Sequence, residues 1–265
     1  MRNGPLALLF HGVFATFLLA PMVVVCLVAF TPEGFLSFPT SGVSLRWFKR
    51  IAEYPEFRQA LWTSLLIATF SSVVALAFAV PAAIAITRYR FPGRDALNAL
   101  FMSPLMIPHV VLGIAFLRFF SLIGLSGTQT GLLISHVVIV FPFALRMSLA
   151  AATGMDRRIE DAAASLGATR STTFRRITLP LMLPGIASGF ALSFIQSFDE
   201  VTMTVFIASP TTSTLPVRMF NYIQDSIDPL VCAISALLIL ATLVLMVILD
   251  RLYGIERLFM GDPQA

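Results

Sequence analysis

Asp199 and Glu200 stand side by side inside an apolar stretch that runs from about 185 to 208. Ionisable groups at membrane depth are costly, so the chemistry they suggest is a solute or ion pathway; the bland alternative is a structural ion pair with Arg118 or Arg218. Adjacent helix positions differ by about 100° in direction, so the two carboxylates cannot face one point. At a rise of 1.5 Å per residue from Gly185, Asp199 sits about 21 Å along the helix, past its midpoint. Two other constellations are weaker. Gly124-Leu125-Ser126-Gly127, with His136 downstream, has the residue types of an intramembrane serine protease, whose nucleophile needs a base within hydrogen-bond reach. His11, His109 and His136 are isolated and no H-E-x-x-H spacing occurs, so they read as packed or interfacial histidines and no metal is expected.

The richest polar segment is Asp161 to Pro180, DAAASLGATRSTTFRRITLP, set between two long apolar stretches. From Met155 the apolar positions Ile159, Ala162, Ala163 and Leu166 recur at helical spacing and predict a short amphipathic helix. Gly167 then stands where a helix C-terminus favours positive φ. Ser171 is placed to cap a second short helix presenting Phe174 and Ile177, which Pro180 and Pro184 would end before the next span. Such a hairpin is a knob on the membrane surface. Its alanines permit close approach by a partner's backbone, and Arg157, Arg158, Arg170, Arg175 and Arg176 can meet acidic groups or lipid phosphates.

The elements that must position these groups follow from composition. Hydrophobic residues make up 57% of the 265, charged residues 12%, and mean hydropathy is +0.88; a soluble domain carries about 25% charged residues. This is an all-α membrane protein. Uncharged runs each supply the roughly 20 residues a spanning helix needs, and they predict six helices at about 6–30, 61–86, 97–120, 131–150, 185–208 and 229–249, in one transmembrane domain covering 1–265. The first run exceeds a signal-peptide core and lacks a convincing cleavage site, so it reads as a retained anchor. Cys26 and Cys232 fall inside apolar runs, where a thiol behaves as a small hydrophobe.

The net charge of +4 reflects topology rather than nucleic-acid binding. With a cytoplasmic N-terminus, the inner segments hold Arg2, Arg88, Arg90, Arg94, Arg146, Arg157, Arg158, Arg170, Arg175, Arg176, Arg251 and Arg257, against Arg46, Lys49, Arg50, Arg58 and Arg218 outside. The positive-inside rule therefore places both termini, and the 151–184 loop, in the cytoplasm. In the first outer segment, Ser44 to Ile51 is a candidate interfacial helix capped by Ser44, with Trp47, Phe48 and Ile51 on one face. A P-loop needs G-x-x-x-x-G-K-[ST], and the one lysine, Lys49, follows Phe48, so ATP is not bound here by that route.

The spacing acid-Ala-Ala, three residues, Gly167, nine residues, Ile177-x-Leu179-Pro180 resembles the cytoplasmic Glu-Ala-Ala loop of permease subunits in binding-protein-dependent ABC importers. SFDEVTMTVFIASP followed by TSTLPVRMFNYI resembles the fifth span and outer loop of the spermidine and putrescine permeases in that family, and with Leu45-Arg46-Trp47-Phe48 the likeness runs from about 45 to 255. It implies a six-helix type I permease half in the bacterial cytoplasmic (inner) membrane. The implied partners are a second permease, copy or paralogue, ATPase subunits that bind ATP and Mg, and a periplasmic or extracellular substrate-binding protein. This chain would carry no cofactor and no catalytic residue. By the resemblance, Glu160, Asp161, Ala162, Ala163, Gly167, Ile177, Leu179 and Pro180 couple to the ATPase, and the solute is a small organic molecule, a polyamine or related amine, which the carboxylates suit. The family's Glu is Asp161 here, a methylene shorter, with Glu160 just before it. The alternatives are a secondary transporter or channel acting without an ATPase and, more remotely, the intramembrane serine protease.

Overall fold

A computed structural model describes residues 4–253; Arg2 and Arg257, used above for topology, lie outside them. Among the described residues the chain is helical with no strand. Its helices are α1 (Pro5–Val28), α2 (Arg46–Ile51), α3 (Pro55–Arg88), α4 (Arg94–Met102), α5 (His109–Ile123), α6 (Gln129–Gly154), α7 (Arg157–Ser165), α8 (Arg170–Thr173), α9 (Leu179–Phe198), α10 (Thr204–Ile207), α11 (Leu215–Asp225) and α12 (Leu230–Tyr253). Four described helices are long and apolar enough to cross a membrane: α1, α3, α6 and the continuous run Arg170–Phe198. A fifth crossing is available if the pair Arg94–Leu105 and His109–Ile123, bent by 98°, counts as one span. The chain divides into two compact units, one of residues up to Arg58 and from Met219 onward, the other Gln59–Arg218.

In the first unit α12 packs on α1 and α2. Trp47 of α2 is fully buried and its indole N–H donates to the Glu33 carbonyl at 3.2 Å. The guanidinium groups of Arg46 and Arg50 lie 4.9 and 5.2 Å from its ring centre, within cation–π range. The N-cap of α2 is Leu45 and not Ser44, whose hydroxyl, one residue earlier, accepts from the Arg46 N–H at 3.2 Å.

In the second unit α6 lies along α9 as the dominant helix pair. Small residues let the two approach closely, as in membrane bundles where lipid gives no hydrophobic drive for association. A Cβ on Gly185 would stand 2.5 Å from the Ala151 Cβ and 3.1 Å from the Met147 carbonyl oxygen. Gly185→Ala is therefore expected to cost about 1–3 kcal/mol, the range for overpacking. A lower melting temperature of the detergent-solubilised protein would show it, while Gly12→Ala, with nothing within 4 Å, leaves that temperature unchanged. The core beneath this contact joins Ala75, Ala79 and Ala83 of α3 to Val140, Ala144 and Leu145 of α6 and Met182 of α9. Phe70, Phe78, Leu192 and Ile195 point outward, which suits lipid.

Three expectations need correction. The segment 97–120 is not one straight helix: Pro104 opens a 3₁₀ turn (Ser103–Leu105), Pro108 precedes α5, and the residue before a proline disfavours α geometry. Pro180 and Pro184 do not separate the hairpin from the next span. A π-turn over Phe174–Thr178 widens the helix just ahead of Pro180, relieving the clash a proline ring makes with the carbonyl four residues back, and Pro184 sits inside α9. Finally, α9 ends at Phe198 rather than near 208; a turn and the short α10 follow.

Candidate functional site

The polar hairpin folds as α7, a glycine turn and α8. Asp156 caps α7 by accepting from the Arg158 N–H at 2.9 Å. At the other end Gly167 has φ +83°, and the Ala168 and Gly167 N–H groups bond to the Ala163 and Ala164 carbonyls at 3.0 Å each. That pair of bonds is the Schellman closure, which needs a left-handed residue at this one position. The cap of α8 is Thr169, accepting from the Thr172 N–H, and not Ser171. Of the four apolar positions that predicted α7, Ala163 alone is buried; Ile159 is 44% exposed and Leu166 90%. The helix therefore turns apolar side chains away from its own chain.

Two acidic neighbours in this hairpin have separate fates. Glu160 accepts from the Thr178 hydroxyl at 2.7 Å through Oε1 and pairs with Arg88 Nε at 2.9 Å through Oε2. It joins α7 to the π-turn and to the end of α3. Asp161 is exposed and lines, with Arg157, Arg170 and Phe174, a groove of about 460 Å³ whose wall includes the clamp residues Arg88, Glu160 and Thr178. Thr178 was not singled out from the sequence; its spacing of eighteen residues from Glu160 carries no local signal. Ala162 and Pro180 are exposed, Ile177 and Leu179 half-buried.

The pathway candidates also separate. Asp199 caps α9 at its C-terminus and is exposed. It follows a ladder of half-buried rings on α9, with Phe190, Phe194 and Phe198 stacked at centroid distances of 6.1 and 6.0 Å. Glu200 points inward: its side chain is 3% exposed, Oε2 lies 2.6 Å from His109 Nδ1, and Oε1 accepts from the Met203 N–H at 2.7 Å. Its partner is thus a histidine that the sequence left isolated, other than the Arg118 or Arg218 considered above.

His136 is also engaged, not merely packed. Fully buried, it meets the Ser197 hydroxyl through Nδ1 at 2.8 Å and the Thr204 hydroxyl through Nε2 at 3.0 Å, and Ser71 Oγ donates to Ser197 at 3.1 Å. Both ring nitrogens are committed to hydroxyls other than Ser126, which stands exposed in the Gly124–Gly127 turn. That arrangement removes the base a serine protease would need. Among the described residues no group of three or more His, Cys, Asp or Glu side chains is placed to hold a metal ion.

A helical membrane bundle with an outward-facing polar hairpin at the base of one long helix and a buried polar network at its other end is built as a transport subunit. Residues 75–256 match the family described as binding-protein-dependent transport system inner membrane component, and the chain belongs to it. It is 30% identical over 239 residues to the spermidine/putrescine transport system permease protein PotC of Haemophilus influenzae, covering 90% of this chain and 93% of that one. It is 29% identical over 246 residues to the sulfate transport system permease protein CysT of Salmonella typhimurium, covering 87% and 89%. The fold is shared with a chain of a bacterial ABC transporter involved in the import of the acidic polysaccharide alginate, at a TM-score of 0.75 and 17% identity over 94% of this chain and 95% of that one. The chain is accordingly a membrane permease component of an ATP-driven importer and is not itself a catalyst.

Proposed function

We propose that the chain is one transmembrane half of a bacterial inner-membrane importer for a small organic cation, a polyamine or related amine. It crosses the membrane six times, the third crossing being the bent α4–α5 pair and the sixth α12, with both termini cytoplasmic. The loop 151–184 docks on a separate ATPase that holds ATP and Mg. A second permease, copy or paralogue, completes the pathway, and an external binding protein delivers the solute. In the docked loop Ile159, Leu166 and Ala162 present apolar contacts, Asp161 and the arginines charged ones, and Glu160, Gly167, Ile177, Leu179 and Pro180 hold the shape.

The observation that carries this reading is the hairpin: a closed helix turn clamped to α3 by Glu160 and Arg88, with its apolar side chains facing outward. A secondary transporter has no use for such a surface. The solute class rests on the spermidine/putrescine relatives and on Asp199 at the end of the phenyl ladder. A desolvated ammonium needs a counter-charge, and its methylene chain can lie along aromatic faces that also attract the cation. Because a sulfate transport permease is a relative of nearly equal identity, sulfate is the competing solute to discriminate against.

Two measurements test this reading. The cognate binding protein should melt at a higher temperature with putrescine or spermidine and not with sulfate. In proteoliposomes holding the complete transporter, Asp199→Asn should raise the KM for putrescine by about tenfold, the scale of one lost charged hydrogen bond. Uptake by this chain alone, without an ATPase, would sink the importer reading, and an unchanged KM would remove Asp199 from the pathway.

A further inference from the structure

The helix break at 103–108 leaves α5 bent by 98° from α4. Pro108 caps α5 without a side-chain hydrogen bond, and the preceding 3₁₀ turn is also uncapped by any side chain. What meets α5 at its first residue is Glu200. The His109 imidazole donates through Nδ1 to Glu200 Oε2, while Oε1 of the same carboxylate takes the Met203 N–H and closes the turn after α9. One turn further along α5, Gly113 lies so near that segment that a Cβ would stand 2.8 Å from the Phe206 ring and 3.0 Å from the Met203 carbonyl oxygen. Contact thus runs over a full turn of α5.

We infer that the His109–Glu200 pair sets the bend of the broken helix and holds α5 and the Glu200–Ile207 segment as one block through the transport cycle, so that Glu200 is a positioning residue and not a ligand for the solute. Both carboxylate oxygens are engaged and the side chain is nearly sealed from solvent. Freeing it would leave a buried charge without a partner, which is far costlier than exchanging one solvated pair for another. The block also carries Thr204, the hydroxyl that meets His136 Nε2, so its position is tied to α6 as well as to α5. Asp199, one residue earlier, keeps its carboxylate exposed and is free for a different task.

This rests on reading the chain as an importer subunit, and the test separates the two. The complete transporter, with both permeases, ATPase and binding protein, is reconstituted with Glu200→Gln, His109→Leu, the double variant and His109→Asn. Putrescine uptake and binding-protein-stimulated ATP hydrolysis are both measured. Each single variant is expected to lower the maximal rate of both by about tenfold with KM unchanged, and the double variant to be no worse than either, since contacting residues are energetically coupled. Asparagine places an amide nitrogen close to where His109 has Nδ1, so His109→Asn should recover most of the rate; a role in packing alone would not distinguish it from leucine. Should Glu200→Gln fail to co-purify with its partners, the leucine and asparagine variants at 109 still decide the matter. A raised KM in Glu200→Gln with maximal rate intact, losses that multiply in the double variant, or equal rates for leucine and asparagine would each overturn the inference. If the unaltered transporter hydrolyses ATP on stimulation yet imports no putrescine, the amine assignment fails and the latch is judged on hydrolysis alone.

Discussion

Gly167→Val is expected to cut ATP-driven uptake by tenfold or more while the protein still inserts and its amount in the membrane stays the same. The reason lies in the backbone alone. No heavy atom lies within 4 Å of where a Cβ at 167 would be, so no clash is created; but φ is +83°, and a β-branched residue held there costs about 1–3 kcal/mol. That cost falls on the Schellman closure by which Ala168 and Gly167 bond back to Ala163 and Ala164, and hence on the fixed direction of Leu166. If the hairpin must keep its shape to be gripped by the ATPase, each 1.4 kcal/mol lowers the docking-competent fraction about tenfold. A graded series makes the argument sharper: asparagine, which tolerates left-handed geometry, should keep most uptake, alanine less and valine least. Uptake in proteoliposomes and co-purification of the ATPase read the series. Normal import by Gly167→Val would remove the docking role from this turn.

Much of this fold was legible because membrane helices announce themselves by length. Runs of about 20 uncharged residues gave α1 and α6 to within four residues at each end and α3 at its C-terminal end, while α9 starts six residues before the expected 185. Gly167 was legible too, since a glycine after a helical stretch of Ile159, Ala162, Ala163 and Leu166 has few other uses. The end of α9 is not: the apolar stretch carries the expected helix past Asp199 and Glu200 to 208, whereas Asp199 is its C-cap and Glu200 turns into the protein. The 98° bend was hidden for a different reason. Pro104 and Pro108 signal that a bend is permitted but not its size, and the contact met at the start of α5, His109 with Glu200, lies ninety-one positions away, where no local pattern encodes it. The same holds for His136 with Ser197 and Thr204. In the hairpin, Thr169 and Ser171 are both hydroxyls at plausible cap positions, and only the backbone distinguishes them.

The hairpin's two acids yield the second large effect, and here the motif and the geometry disagree. The acid-Ala-Ala spacing singles out Asp161, yet Glu160 is the residue whose two oxygens meet Thr178 at 2.7 Å and Arg88 at 2.9 Å, with the pair's side chains 18% and 13% exposed. Neighbouring positions on a helix point about 100° apart, so Glu160 turns to Arg88 and Thr178 while Asp161 stays exposed. Glu160→Ala removes both bonds together and strands the Arg88 guanidinium, whose Nη2 already lacks a partner among the described residues. A charged hydrogen bond contributes about 1.5–3 kcal/mol, so the clamp should loosen by about that much and uptake fall at least tenfold, with the ATPase co-purifying poorly. Glu160→Gln should be milder, because an amide still accepts from Thr178 while losing the charge on Arg88. Among the described residues the Asp161 side chain makes no hydrogen bond or ion pair, so Asp161→Ala should leave the hairpin's shape intact, and its effect on uptake is expected to be several-fold smaller than that of Glu160→Ala. A larger loss at Asp161 than at Glu160 would mean that the exposed acid makes the decisive contact with the partner and that the clamp to α3 is dispensable.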